Sequence, residues 1–299
     1  MTLQPHVRKG RPSGKYALVA PATIMILCIA LFPLLYSVVV SFQNIDVRTP
    51  VGAFIGLKNY LDVLRDARFW NALGNTALIM VVCVTAELLL GFILAQTLVG
   101  HLPGKRFITP LLILPVVIAP LIVGYTWRML WDTQYGPINQ VLGWIAGRPV
   151  EIVWLANPIT VWPAIFITEI WQWTPFMFLV LLAGLSAINP EYREAAEIDG
   201  ASSWQTLRFV TLPLVWPVMA VAILFRALDA FKIFDIVFAL TNGGPGTMTE
   251  TVSLYAYSVG FRNFRISYMA ALTLILIAIV SVAITVLWRR MSANQERMA

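Results

Sequence analysis

ALGNTALIMVVCVTAELLLGFILAQTLV, residues Ala72–Val99, carries one charged side chain, Glu87, in 28 positions. Its apolar residues run as a block and do not alternate, so a helix fits, whereas a membrane-barrel strand of ~10 alternating residues does not. The run exceeds the ~20 residues a helix needs to cross a bilayer's hydrocarbon core. Working outward, five more blocks read the same way: Ala17–Phe42, Phe107–Trp131, Val161–Ala187, Leu212–Ala239 and Ser267–Trp288. With 59% hydrophobic and 12% charged residues and a mean hydropathy of +0.77, the chain has more apolar surface than one soluble core could hide. The expected fold class is an all-α integral membrane protein with six transmembrane helices over residues 17–288. A basic tail (1–16) precedes them and a short tail (289–299) follows.

The excess of positive charge, +6, would hint at nucleic acid in a soluble domain, but its placement points to membrane orientation instead. Arg8, Lys9, Arg11 and Lys15 precede the first block and Arg289 and Arg290 close the last, which predicts that both termini are cytoplasmic. The first block is too long for a signal-peptide core, so it is expected to remain as a span. Trp131, Trp154, Trp162 and Trp288 fit interfacial positions. Pro110, Pro115 and Pro120 in the third block, with Pro163 and Pro175 in the fourth, are tolerable where neighbouring helices satisfy freed carbonyls. Cys28 and Cys83 sit in apolar blocks without metal or redox spacing, and read as packing residues. His6 and His101 both fall outside the spans, and no nucleophile, metal set or acid/base pair converges, so an embedded enzyme is not expected.

One loop, within residues 188–213, is more specific. EYREAAEIDGASSWQTLRFVTLP (Glu191–Pro213) reads as a short helix with acids in its first turns and Gly200 placed to end it. Glu194, Ala195, Ala196, then Gly200 four positions on, Val210, Leu212 and Pro213 match the EAA signature of binding-protein-dependent importer permeases, with Val210 where that signature usually has Ile. PFMFLVLLAGLSAINP (Pro175–Pro190) and LDAFKIFDIVFALTNGGPGTMTET (Leu228–Thr251) are similar to the stretches flanking this loop in maltose-type sugar permeases. The resemblance implies the type I ABC importer permease fold and a pairing with a second homologous permease. It also implies a dimeric ATPase subunit that binds ATP and Mg, and an extracytoplasmic solute-binding protein. Glu194, Ala195, Ala196, Asp199, Gly200, Leu212 and Pro213 would then form the element that docks on the ATPase. The chain itself has no GxxxxGK[ST] phosphate loop, so it is expected to bind neither nucleotide nor other cofactor, and Gly243, Gly244 and Gly246 read as an external turn.

Ionisable groups inside spans cost ~2.5–3.5 kcal/mol each and call for a partner or a wet cavity. Glu169, Gln172, Trp173 and Phe176 fall at i, i+3, i+4 and i+7, one face of the fourth span. Arg226, Asp229, Ala230 and Ile233 repeat that spacing in the fifth. Carboxylate, amide and aromatic groups together suit a polyhydroxylated solute. In the resemblance, the positions that line the sugar site fall on Glu169, Gln172, Trp173, Phe176, Arg226 and Ala230. Whether Arg226 pairs with Glu169 or meets the solute stays open, and Glu87 reads as a packing or helix-bonding group. The function expected is import of a sugar or polyol by alternating access. A non-sugar importer of the same class and an ion-coupled secondary transporter stand as alternatives, the latter leaving the EAA spacing unexplained.

Overall fold

The computed structural model describes residues 13–47, 49, 52–100 and 103–298. Arg8, Lys9, Arg11, Arg48, His6 and His101 therefore lie outside the described residues. The chain runs through α1 (Ser13–Ser41), α2 (Lys58–Arg65), α3 (Ala67–Val99), α4 (Lys105–Val117), α5 (Pro120–Leu130), α6 (Pro137–Ala146) and α7 (Val161–Ser186). It continues through α8 (Glu191–Ile198), α9 (Ser203–Thr206), α10 (Leu212–Phe231), α11 (Asp235–Leu240), α12 (Val252–Tyr257) and α13 (Ile266–Met298). The one strand-like feature among the described residues is an isolated bridge, Gln43–Phe54.

Five helical stretches are long and apolar enough to cross a membrane: Val19–Ser41, Ala67–Val99, Val161–Ser186, Ser203–Phe231 and Ile266–Val286. The third expected span is not one helix. It breaks into α4 and α5, which meet at 97°. Ile118 and Ala119 between them are extended, since Pro120 disfavours helical backbone at the residue before it and offers no N–H. The fifth expected span also ends early. Its helix stops at Phe231 and the apolar continuation forms the separate α11.

The centre of the bundle is α3 packed along α7, with α10 antiparallel to both. Ile79 and Ile165 share one buried cluster near one end and Leu98 and Leu185 another near the other, so α3 and α7 run parallel. Between these contacts Gly91 lets the backbones touch: a Cβ there would lie 2.7 Å from the Cβ of Met177 and 2.8 Å from the Phe178 nitrogen. Gly184 does the same for α10, where a Cβ would fall 2.9 Å from Val218. Small residues at such crossings favour membrane helix packing, since lipid is as apolar as the side chains and close contact supplies the attraction. Outside this centre, α1 leaves its apolar surface almost wholly open and packs chiefly on α13. Trp131, expected at a membrane interface, is instead 4% exposed; it donates to Thr168 Oγ1 and packs between Trp127 and Trp154.

At the end of the bundle remote from α8, a loop is fastened across α3. Arg68 grips Glu250 with two bonds of 2.7 and 2.8 Å, Asn75 donates to the Glu250 carbonyl, and Thr76 Oγ1 accepts from the Val252 N–H. The Gly243–Gly246 segment is a turn, with Asn242, Gly243 and Gly246 at positive φ. Close by, Tyr255 and Tyr268 both donate to Asp66, the residue that caps α3. Burial works against the Asp66 charge, but these bonds and the N–H groups of Arg68 and Phe69 outweigh it and hold the carboxyl below its ordinary range. Burial, then the bond to Asp66, pushes Tyr255 up to about 12.

Candidate functional site

Well inside the bundle, α10 inserts Arg226 between α3 and α7, where three carboxylates surround it. Nε and Nη2 form a two-pronged pair with Glu87 at 2.7 and 2.9 Å. Nη2 also donates to Glu169, and Nη1 to Asp229 at 3.3 Å. The guanidinium covers the Trp173 ring, 4.7 Å from its centre. Arg226, Glu87 and Glu169 are no more than 2% exposed, so the pairing is what makes the burial tolerable. Asp229 keeps 45% of its side chain open.

Beside this hub lies a cavity of about 190 Å³, lined by Pro120, Glu169, Trp173, Asp229, Lys232 and Asp235 among others. Glu169 Oε2 is buried with no hydrogen-bond partner. A larger cavity of about 570 Å³ between α3, α4 and α7 is walled by Leu90, Leu112, Pro115, Ile170, Trp171 and Phe178 and offers hydroxyls little to bond.

Of the positions expected on one solute-facing surface, Glu169, Trp173 and Asp229 line the smaller cavity and Arg226 stands behind them. The other three turn into the protein. Gln172 is 1% exposed and its Nε2 donates at 3.0 Å to the Ile118 carbonyl, which the break after α4 leaves without a helical partner. Ala230 belongs to a buried cluster with Val84, Met177 and Ala222, against which Phe176 packs. In this structure Arg226 bonds Glu169. Glu87, read as a packing or helix-bonding group, bonds α3 to α10 as the two-pronged partner of Arg226. What the sequence offered was one acid, Glu87, as the single charge of the 72–99 block and, in α10, one arginine three positions before Asp229, with nothing to join Glu87 and Arg226 across 139 positions.

At the far end of α7 and α10, α8 stands clear of the bundle with none of its residues buried. Gly200, at φ +77°, follows the cap residue Asp199; the Ala201 N–H returns to the Ala196 carbonyl and the Gly200 N–H to that of Glu197. These two bonds stop the helix in a Schellman motif, and the left-handed residue is one that glycine adopts without steric cost. Glu194 and Ala195 are exposed, as are the larger Tyr192 and Ile198, the last at 86%. Ser202 and Gln205 cap α9 reciprocally. A π-helical turn, Leu207–Thr211, then leads into Leu212 and Pro213 at the start of α10.

Comparison with known proteins adds an independent line. Residues 87–293 match the family described as "Binding-protein-dependent transport system inner membrane component". The trehalose/maltose transport system permease protein MalF of Thermococcus litoralis is 36% identical over 81% of this chain and 82% of its own length. The sulfoquinovosyl glycerol transport system permease protein SmoG of Agrobacterium fabrum is 33% identical over 93% of this chain and 90% of its own. Among solved structures, a bacterial ABC transporter involved in the import of the acidic polysaccharide alginate matches with a TM-score of 0.79 and 22% identity, covering 93% of this chain and 94% of that one.

Proposed function

Because this chain belongs to the family of inner membrane components of binding-protein-dependent transport systems, we propose that it is one of two permease subunits of an ATP-driven importer for a sugar or polyol. The observation that carries the coupling half of this reading is α8: a helix stopped by Gly200, with no buried residue, presenting Glu194, Tyr192 and Ile198 outward from the end of α7 and α10. Such a surface fits a groove on a cytoplasmic ATPase dimer, which would hold the ATP and Mg. Under this reading α8 and both termini face the cytoplasm, and the clamped 241–251 loop faces the solute-binding protein outside.

The solute half rests on the cavity beside Arg226. At about 190 Å³ it falls short of the ~300–1000 Å³ usual for a ligand pocket, which suits half a site completed by the second permease. Its carboxylates accept hydroxyl hydrogens and Trp173 supplies an aromatic surface, the groups a sugar requires. No bond in the solute is made or broken. The subunit's work is to offer these groups and to change which side of the membrane they face.

The test is solute-stimulated ATP hydrolysis by the complete transporter in proteoliposomes. Glu194→Ala and Gly200→Pro should each lower stimulation strongly while the chain remains inserted, since a proline in place of Gly200 would lack the N–H that returns to Glu197. Undiminished coupling in both variants would refute the docking role of α8.

A further inference from the structure

The relatives divide by the charge of what they are named for: trehalose and maltose on one side, an acidic polysaccharide and a sulfo-sugar on the other. The cavity beside Arg226 distinguishes between these classes for this chain. Its ionisable wall residues are Glu169, Asp229 and Asp235 against Lys232. Behind the wall Arg226 and Glu87 cancel, so the site as a whole keeps two negative charges in excess.

Neither cation stands unopposed. Arg226 is 1% exposed, has donors committed to Glu87, Glu169 and Asp229, and lies against Trp173. Lys232 reaches into solvent but sits 3.7 Å from Asp229, which takes up its charge. The unpartnered groups are acceptors. Glu169 Oε2 is buried without a bond, and Gln172 Oε1 one turn along α7 is likewise unbonded. A neutral sugar hydroxyl can donate to a carboxylate, whereas a carboxylated or sulfonated sugar would bring a like charge into a poorly screened space.

We propose that this cavity selects an uncharged, hydroxyl-rich solute by accepting hydrogen bonds from it on Glu169 and Asp229, and excludes acidic sugars through the surplus charge of Glu169 and Asp235. The proposal rests on the sugar-importer reading above. Exclusion here is a repulsive element built into the site, the kind of feature that sets specificity apart from affinity.

The experiment measures binding to the assembled permease–ATPase complex without its solute-binding protein, so that the latter's own selectivity does not enter. Radiolabelled methyl α-glucoside, trehalose and maltotriose are compared by equilibrium dialysis with the same sugars oxidised to uronates. At least one neutral sugar should bind, and its uronate should bind roughly 10–100-fold more weakly, the effect of one like charge ~6–10 Å away at an effective dielectric near 20. Asp235→Asn, which touches none of the Arg226 bonds, should narrow that ratio several-fold, as should raising the salt. Equal or tighter binding of the uronate, or a ratio unmoved by both Asp235→Asn and salt, would overturn the proposal while leaving the sugar importer intact. Failure of every sugar to bind, neutral and acidic alike, while the complex still hydrolyses ATP, would overturn the importer reading and this proposal with it.

Discussion

Replacing Arg226 by methionine removes the one cation from a buried set of charges and leaves Glu87 and Glu169, both no more than 2% exposed, facing each other. The two-pronged bond to Glu87 and the bond to Glu169 are lost together. Taking one partner from a buried, hydrogen-bonded ion pair costs ~3–5 kcal/mol, chiefly because the remaining charge has no solvent to turn to. Arg226→Met should therefore lose that amount in reversible unfolding by SDS in mixed micelles. The informative comparison is the triple variant Arg226→Met, Glu87→Met, Glu169→Met, which fills similar volume with no charge. Apolar replacement of a whole buried ionic set is often neutral or stabilising by ~1–4 kcal/mol, so the triple variant should recover most of the loss. Glu87→Gln alone should fall between, since Arg226 keeps Glu169. A single variant within ~1 kcal/mol of wild type, or a triple variant as unstable as the single one, would refute the view that the hub is a buried network held together by Arg226.

Two further outcomes follow from packing and from the capped end of α3. Gly91→Val must force α3 from α7, because even the first added carbon lies 2.7 Å from Met177; a loss of ~1–3 kcal/mol in the same assay is expected, and an unchanged value would mean the crossing can give. Asp66→Asn should destabilise at pH 7. The Asp66 pKa is depressed on folding from its ordinary 3.8, so its contribution is complete above that value and disappears as pH falls through the lower folded one. The gap between wild type and variant, measured by thermal unfolding, should accordingly close below about pH 4, and a gap independent of pH would count against the charge.

Hydropathy made the spans legible because each is a long block with few charges, and the bounds of α3 and α7 fall within a few residues of those expected. Composition could not reveal the break at Ile118 and Ala119, since apolar residues run straight through it. Prolines were visible but ambiguous: Pro110 and Pro175 sit inside intact helices while Pro120 starts a new one. The end of α10 was hidden for the same reason, as Ile233 to Ala239 are apolar but for Asp235. On α7, the expected face Glu169, Gln172, Trp173, Phe176 spans an arc of ~100°. In a bundle such an arc is shared between neighbours, so Trp173 and Glu169 reach the cavity while Gln172 meets Ile118 and Phe176 meets α3 and α10. Spacing fixes which residues share a face; it does not say what the face meets.

The same contacts divide stiff parts from soft ones. Arg226 ties α3, α7 and α10 at one point, and separating them would strand buried charge at several kcal/mol, so these helices move together or not at all. The helical stretch Ser203–Phe231 runs from beside α8 past Arg226, about 35 Å of helix between Ser203 and Arg226 at ~1.5 Å per residue, so a push on one end reaches the hub. Compliance must then lie elsewhere. The backbone bonds of Ile118 and Ala119 run back to Pro115 and forward to Ile122 and Val123 and do not join α4 to α5, while a side-chain bond from Gln172 holds the Ile118 carbonyl. Pro120, at the start of α5, lines the same cavity as Glu169 and Asp229. Under the importer reading, a swing at this joint would alter one wall of the cavity while the charged hub keeps its bonds, the separation of rigid and movable parts that alternating access requires.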